Sequence, residues 1–104
     1  MRQLYGKIEG PFLIDKDLEM HGMITVSALV RGGVRFILLG MVTGDLTVER
    51  GACAIIHGTV NGVVINHGGH VEIFGAVDAV ADRSPQAVTV IDPAARVKGL
   101  QWTR

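Results

Sequence analysis

The chain has 104 residues, 48% of them apolar, and ten basic against ten acidic side chains give a formal net charge of zero. That length suits one domain with its own core, and the neutral balance excludes the electrostatic footprint of a nucleic-acid binder. A single cysteine, Cys53, excludes an internal disulfide framework and fits a reducing compartment.

In chain order, Met1 to Gly10 holds no apolar signal core with a cleavage site, so the expectation is a soluble, cytoplasmic protein. Residues 1–5 read as a short terminal segment. From Gly6 onward a glycine recurs with its surroundings: Gly6, Gly22, Gly40, Gly58, Gly75 and Gly99, at intervals of 16, 18, 18, 17 and 24 residues. Alternating apolar and polar residues fill the intervals, and alternation is the signature of strands with one buried face. The inward parity collects Ile8, Phe12, Ile14, Leu18 and Met20 first. It then takes Ile24, Ala28, Val30, Phe36 and Leu38, followed by Val42, Leu46, Val48, Ala54 and Ile56. In the Gly58 unit it takes Val60, Val63, Ile65, Val71 and Ile73, with one residue missing after Gly62. The last unit supplies Val77, Val88, Val90 and Val97. Asp82 to Gln86 reads as a surface loop inserted there, and residues 100–104 close the chain.

The most apolar stretch, Val34 to Val42, is interrupted by Arg35 and Gly40. It falls far short of the roughly 20 residues that span a bilayer, so no membrane span is expected. Further glycines fall into columns, Gly33 with Gly51 and Gly68, and Gly10 with Gly44 and Gly62, which suits corners needing positive φ or close backbone approach. A period of 16–18 residues with a conserved internal template predicts an all-β fold. The expected architecture is a single short parallel β-helix, or β-solenoid, of about five coils over residues 6–99. An antiparallel sandwich gives strands of similar length but no reason for a shared template. A hexapeptide helix requires glycine every six residues, which is not the spacing observed.

Two stretches carry a resemblance. Gly40-Met-Val-Thr-Gly-Asp-Leu-Thr-Val-Glu-Arg-Gly-Ala, and Gly58-Thr-Val-Asn-Gly with His70-Val-Glu-Ile-Phe-Gly-Ala-Val-Asp-Ala, resemble the coil consensus of bactofilins. Val90-Ile-Asp-Pro-Ala-Ala-Arg-Val-Lys-Gly99 is similar to that family's last coils. The resemblance implies a right-handed parallel β-helix that polymerises end to end without nucleotide and acts as a bacterial cytoskeletal scaffold. Residues 1–5 and 100–104 hold almost none of the disordered, Pro-rich or charged sequence that usually flanks the solenoid in that family.

No catalytic signature is present: no Gly-x-Ser-x-Gly elbow, no phosphate-binding loop, no His-Glu-x-x-His. The expectation is no enzyme activity and no cofactor. His21 and His57 each precede a marker glycine, in a column with Leu39, Phe74 and Lys98. Cys53 and His70 align on adjacent coils with Arg35, and with His67 they form the one set whose donors suit zinc. Three such ligands without a paired cysteine or a fixed carboxylate favour ordinary turn residues, so no metal site is assigned.

One outward surface is apolar. Met23, Ile37, Leu39, Met41, Ile55 and Phe74 gather about one corner, as a partner surface or a patch covered by a terminal segment would. Leu4, Tyr5, Leu100 and Trp102 are candidate end caps. Solenoid ends leave strand edges unpaired unless capped or joined to another copy. Two functions follow: a self-associating scaffold, or a small binding module, such as a toxin-neutralising immunity protein, that presents the patch to one protein partner.

Overall fold

The computed structural model describes residues 1–102, with side chains through residue 99. The chain winds as a β-solenoid of about five turns, with every strand pair parallel. The strands are β1 (Arg2–Leu4), β2 (Lys7–Glu9), β3 (Phe12–Ile14), β4 (Leu18–Met20), β5 (Met23–Thr25), β6 (Ala28–Val30), β7 (Arg35–Leu38) and β8 (Met41–Val42). They continue as β9 (Leu46–Val48), β10 (Cys53–Ile56), β11 (Thr59–Asn66), β12 (His70–Ile73), β13 (Ala76–Asp82), β14 (Val88–Ile91) and β15 (Arg96–Trp102). The first face stacks β1, β4, β7, β10, β12 and β14 in that order. The second begins with β2, β5 and β8, and the third with β3, β6 and β9. In later layers one long strand, β11, then β13, then β15, serves both of these faces. The glycine spacing begins the repeat at Gly6, but β1 already belongs to the stack and β15 carries it to Trp102.

Alternation puts one residue of each strand pair into the core. One inward column runs Ile8, Ile24, Val42, Val60, Val77 and Val97, with steps of 16, 18, 18, 17 and 20 residues. Burial of such side chains contributes about 1.5–3 kcal/mol each, and Phe36, Leu38, Ile56 and Ile73 on the first face are fully buried.

The glycine columns differ in cause. A Cβ on Gly40 would fall on the carbonyl oxygen of Gly22, and one on Gly58 on the carbonyl oxygen of Gly40. At this corner successive layers approach too closely for any side chain. Gly33 and Gly51 instead hold positive φ angles of 80° and 81°, and a Cβ on Gly33 meets nothing within 4 Å. The Gly10–Gly44 corner is completed by Val26, a β-branched residue at φ 71° and therefore strained.

The structure departs from the sequence reading in two inward stretches. In β11, Val64 and Asn66 face the core while Val63 and Ile65 are only half-buried. The missing residue lies after Asn66, not after Gly62. Asn66 stands opposite Val48, 18 residues back, while His70 stands opposite Cys53, 17 back. What Gly62 marks is a register shift between Val60 and Val63 against β13. In β14, Thr89 and Ile91 face inward, opposite Val71 and Ile73, and Val88 and Val90 are 48% and 49% exposed. Gly99 is not a corner glycine either. It pairs with Ala79, and the final corner is an Asp92–Ala95 turn in which the Asp92 carboxylate accepts the Ala94 N–H at 2.9 Å. The predicted loop at Asp82 to Gln86 is present but starts one residue later, since Asp82 ends β13 and is buried; within it the Ser84 hydroxyl accepts the Gln86 N–H at 3.2 Å.

Asn66 replaces the apolar side chain of its column with a hydrogen-bonding hub. Its Oδ1 accepts the N–H groups of Gly68 and Gly69 at 3.1 and 2.7 Å. Its Nδ2 donates to the carbonyls of Gly69 and Val88 at 3.1 and 3.2 Å and to Thr89 Oγ1 at 3.1 Å. Thr89 in turn donates to the buried Asp82 carboxylate at 2.7 Å. The side chain thus bonds backbone groups in the turn that is one residue short.

Three outcomes are expected in urea denaturation. Gly58→Ala costs about 3 kcal/mol, because separating two layers relieves the clash only by breaking the ladder, whereas Gly33→Ala costs about 1 kcal/mol from its left-handed φ alone. Asn66→Val, although it matches Val30 and Val48 in the same column, destabilises by about 3 kcal/mol through the orphaned turn N–H groups.

Candidate functional site: an exposed ridge and two open ends

The corner preceding the marker glycines carries an outward column. The N–H groups of His21, Leu39, His57, Phe74 and Asp92 each bond the carbonyl of the inward residue one layer below: Leu4, Met20, Leu38, Ile56 and Ile73. Tyr5, following Leu4, starts the same column. The column therefore runs Tyr5, His21, Leu39, His57, Phe74 and Asp92. Asp92 takes the place the sequence assigned to Lys98, because the final corner falls earlier than Gly99. Lys98 lies instead on the second face, 3.8 Å from Asp78.

Within this ridge the rings stack in pairs. Tyr5 lies 4.5 Å from His21 and His57 lies 4.9 Å from Phe74, centroid to centroid, both near parallel. Leu39 stands alone between the pairs, 42% exposed, and Phe74 is 39% exposed. His21 Nε2 is fixed by Glu19 Oε1 at 2.6 Å.

The structure brings the predicted patch residues together. Ile37 and Ile55 are register partners on the first face, and Met23 and Met41 are partners on the second. Both pairs flank Leu39 around the corner, so a half-buried apolar strip crosses the ridge. Two further exposed residues, Val88 and Val90, extend the first face, and Leu13 with Leu29 form a separate apolar pair on the third. The sequence reading placed Val88 and Val90 inside because it misjudged the register after the inserted loop. Tyr5 was read as an end cap. It is 68% exposed and continues the ridge. Leu4 packs against the core from the first layer. Leu100 and Trp102 contribute backbone pairing to Val80 and Asp82, and as caps they lie outside the described side chains.

Cys53 does stand between Arg35 and His70 on the first face. His67 follows Val48 and Asn66 onto the third face, beside Thr47 and Glu49. His70 bonds Glu72 at 2.9 Å. Among the described residues no cluster of three histidine, cysteine or carboxylate side chains could hold a metal ion. The second face bears an open hollow of about 280 Å³ whose polar lining is Thr59, Asn61, Asp78, Arg96 and Lys98. No described helix is long and apolar enough to cross a membrane.

Among the described residues the strand edges at both ends have one neighbour each. β1, β2 and β3 pair only with β4, β5 and β6, while β14 and β15 pair only with β12 and β13. No protein-family model, curated protein or solved structure matches the chain.

The Leu39 side chain, exposed between the two ring stacks, contributes little to folding. Leu39→Asp is expected to change unfolding free energy by less than about 0.5 kcal/mol, as measured by urea titration.

Proposed function

We propose that this chain is a non-enzymatic scaffold that associates with copies of itself through the ends of its solenoid. The observation that supports this most directly is the row of backbone donors and acceptors that, among the described residues, have no strand partner on β1, β2 and β3 at one end and on β14 and β15 at the other. Such edges recruit further strands unless something blunts them. The sequence resemblance to bactofilin coils points the same way. The half-buried Leu4, Ile8 and Phe12 at the first layer add apolar surface that a second copy would bury.

Electron microscopy and sedimentation velocity over a range of protein and salt concentrations test this reading. Oligomers or filaments are expected, and a strictly monomeric protein at millimolar concentration would overturn it. Ile8→Lys is expected to dissolve the assemblies while keeping the fold. In the isolated chain the lysine head reaches water from the first layer, and in a stack it is buried without a partner.

A further inference from the structure

The ridge has a property that an ordinary apolar patch lacks: it reads the same in both directions. From the first layer it runs aromatic, histidine, leucine, histidine, aromatic, in Tyr5, His21, Leu39, His57 and Phe74. The residue steps between them are unequal, but each step is one strand spacing of about 4.8 Å. Tyr5 and Phe74 therefore stand about 9.6 Å either side of Leu39. Both outer pairs are stacked rings with comparable geometry.

We infer that two copies of this chain pair side by side and antiparallel across this ridge, about a two-fold axis that passes beside Leu39. The inference rests on the self-association reading and adds to it a lateral contact with a defined geometry. An isologous interface requires a surface that complements itself under a half-turn. A half-turn perpendicular to the solenoid axis sets Leu39 against Leu39 of the second copy. It also sets each histidine against the other histidine, and Tyr5 against Phe74 of the second copy. On the flanks Ile37 meets Ile37 and Met41 meets Met41, while Ile55 faces Glu19 and Met23 faces Thr59 of the second copy. Asp92, the sixth ridge residue, overhangs the end of the other copy and meets no carboxylate. A parallel pairing would set Asp92 against itself and would need no mirrored order. An unrelated protein partner would need none either.

The ridge is about 20 Å long, and with its flanks it presents fewer residues than the roughly 20–30 a side of a standard interface. The lateral pair is therefore weak and concentration-dependent, and covalent trapping is the suitable readout.

The test uses the full chain carrying Cys53→Ser, with one new cysteine in each variant: Leu39→Cys, Tyr5→Cys, Phe74→Cys, and Leu13→Cys as a control of equal exposure on another face. Circular dichroism checks that each variant keeps the fold. Under air oxidation Leu39→Cys is expected to form a disulfide-linked dimer whose yield rises with concentration. Tyr5→Cys and Phe74→Cys should cross-link to one another when mixed, and neither should exceed the Leu13→Cys background alone. Efficient cross-linking of Tyr5→Cys to itself would overturn the antiparallel geometry. Oligomers in sedimentation with no cross-link at position 39 would overturn the lateral contact and leave end association standing. A monomer under every condition, with no cross-link, would overturn both.

Discussion

The structure depends on the closeness with which consecutive layers meet at the glycine corner. At Gly22, Gly40, Gly58 and Gly75 the chain turns with its Cα against the carbonyl oxygen of the glycine below, and the space a Cβ needs is taken by backbone. That contact locks each turn onto the preceding one, so every residue acquires a partner directly above and below. Side-chain columns follow from it. An inward position in one layer is inward in all, and an outward apolar residue finds itself beside whatever occupies the same column one strand away. The ridge of Tyr5, His21, Leu39, His57 and Phe74 is such a column, since it is the set of residues that immediately precede the corner.

The same constraint explains which parts of the fold were legible. A side chain at the corner glycines would meet backbone of the layer below, so their spacing reports the coil length directly. Apolar alternation between Ile24 and Val60 then places every strand residue it assigns inward in the core, missing only Val34 and Ala52 in the turns, because the strands of those layers keep one register. The reading fails where the chain departs from the template without a glycine to mark it. Nothing near Asn66 announces that its turn is a residue short, and an asparagine is ordinarily an outward residue. Only its five hydrogen bonds make it a core residue. After the Arg83–Ala87 loop the parity is free to change, and Val88 and Val90 resemble core valines in every respect except register. Gly99 misled for the opposite reason. It is a glycine in a strand, while the true corner is made by Asp92 and its carboxylate.

For the candidate site, the patch residues were legible because Ile37, Leu39 and Met41 occupy successive outward positions around one corner. The mirrored order of the ridge was not, since it needs Tyr5. The first marker glycine, Gly6, made the preceding residues look like a tail, whereas all three residues of β1 pair in register with β4. Stacked rings also leave no trace in composition. Tyr5 and His21 are 16 residues apart and meet only because one turn of the solenoid separates them.

The two ends of the stack differ in chemistry, and this bears on how copies would meet. The first layer offers Leu4, Ile8 and Phe12, apolar side chains half-covered by a single neighbouring layer. Near the other end Asn66, Asp82 and Thr89 bond one another and the backbone in positions that hold Val48 and Phe36-type side chains lower in the stack, while Ile91, Ala95 and Val97 of the last layer are half-buried and apolar. A polar group already satisfied within its own chain gains little from a second copy, whereas apolar surface gains in proportion to the area removed from water. In the proposed end association the apolar gain would come from Leu4, Ile8 and Phe12 at one end and from Ile91, Ala95 and Val97 at the other, with the Asn66–Thr89–Asp82 network adding little. Joining first layer to first layer buries apolar surface on both sides, and a half-turn between copies sets their edge strands antiparallel, a pairing at least as stable per residue as the parallel ladder inside the solenoid.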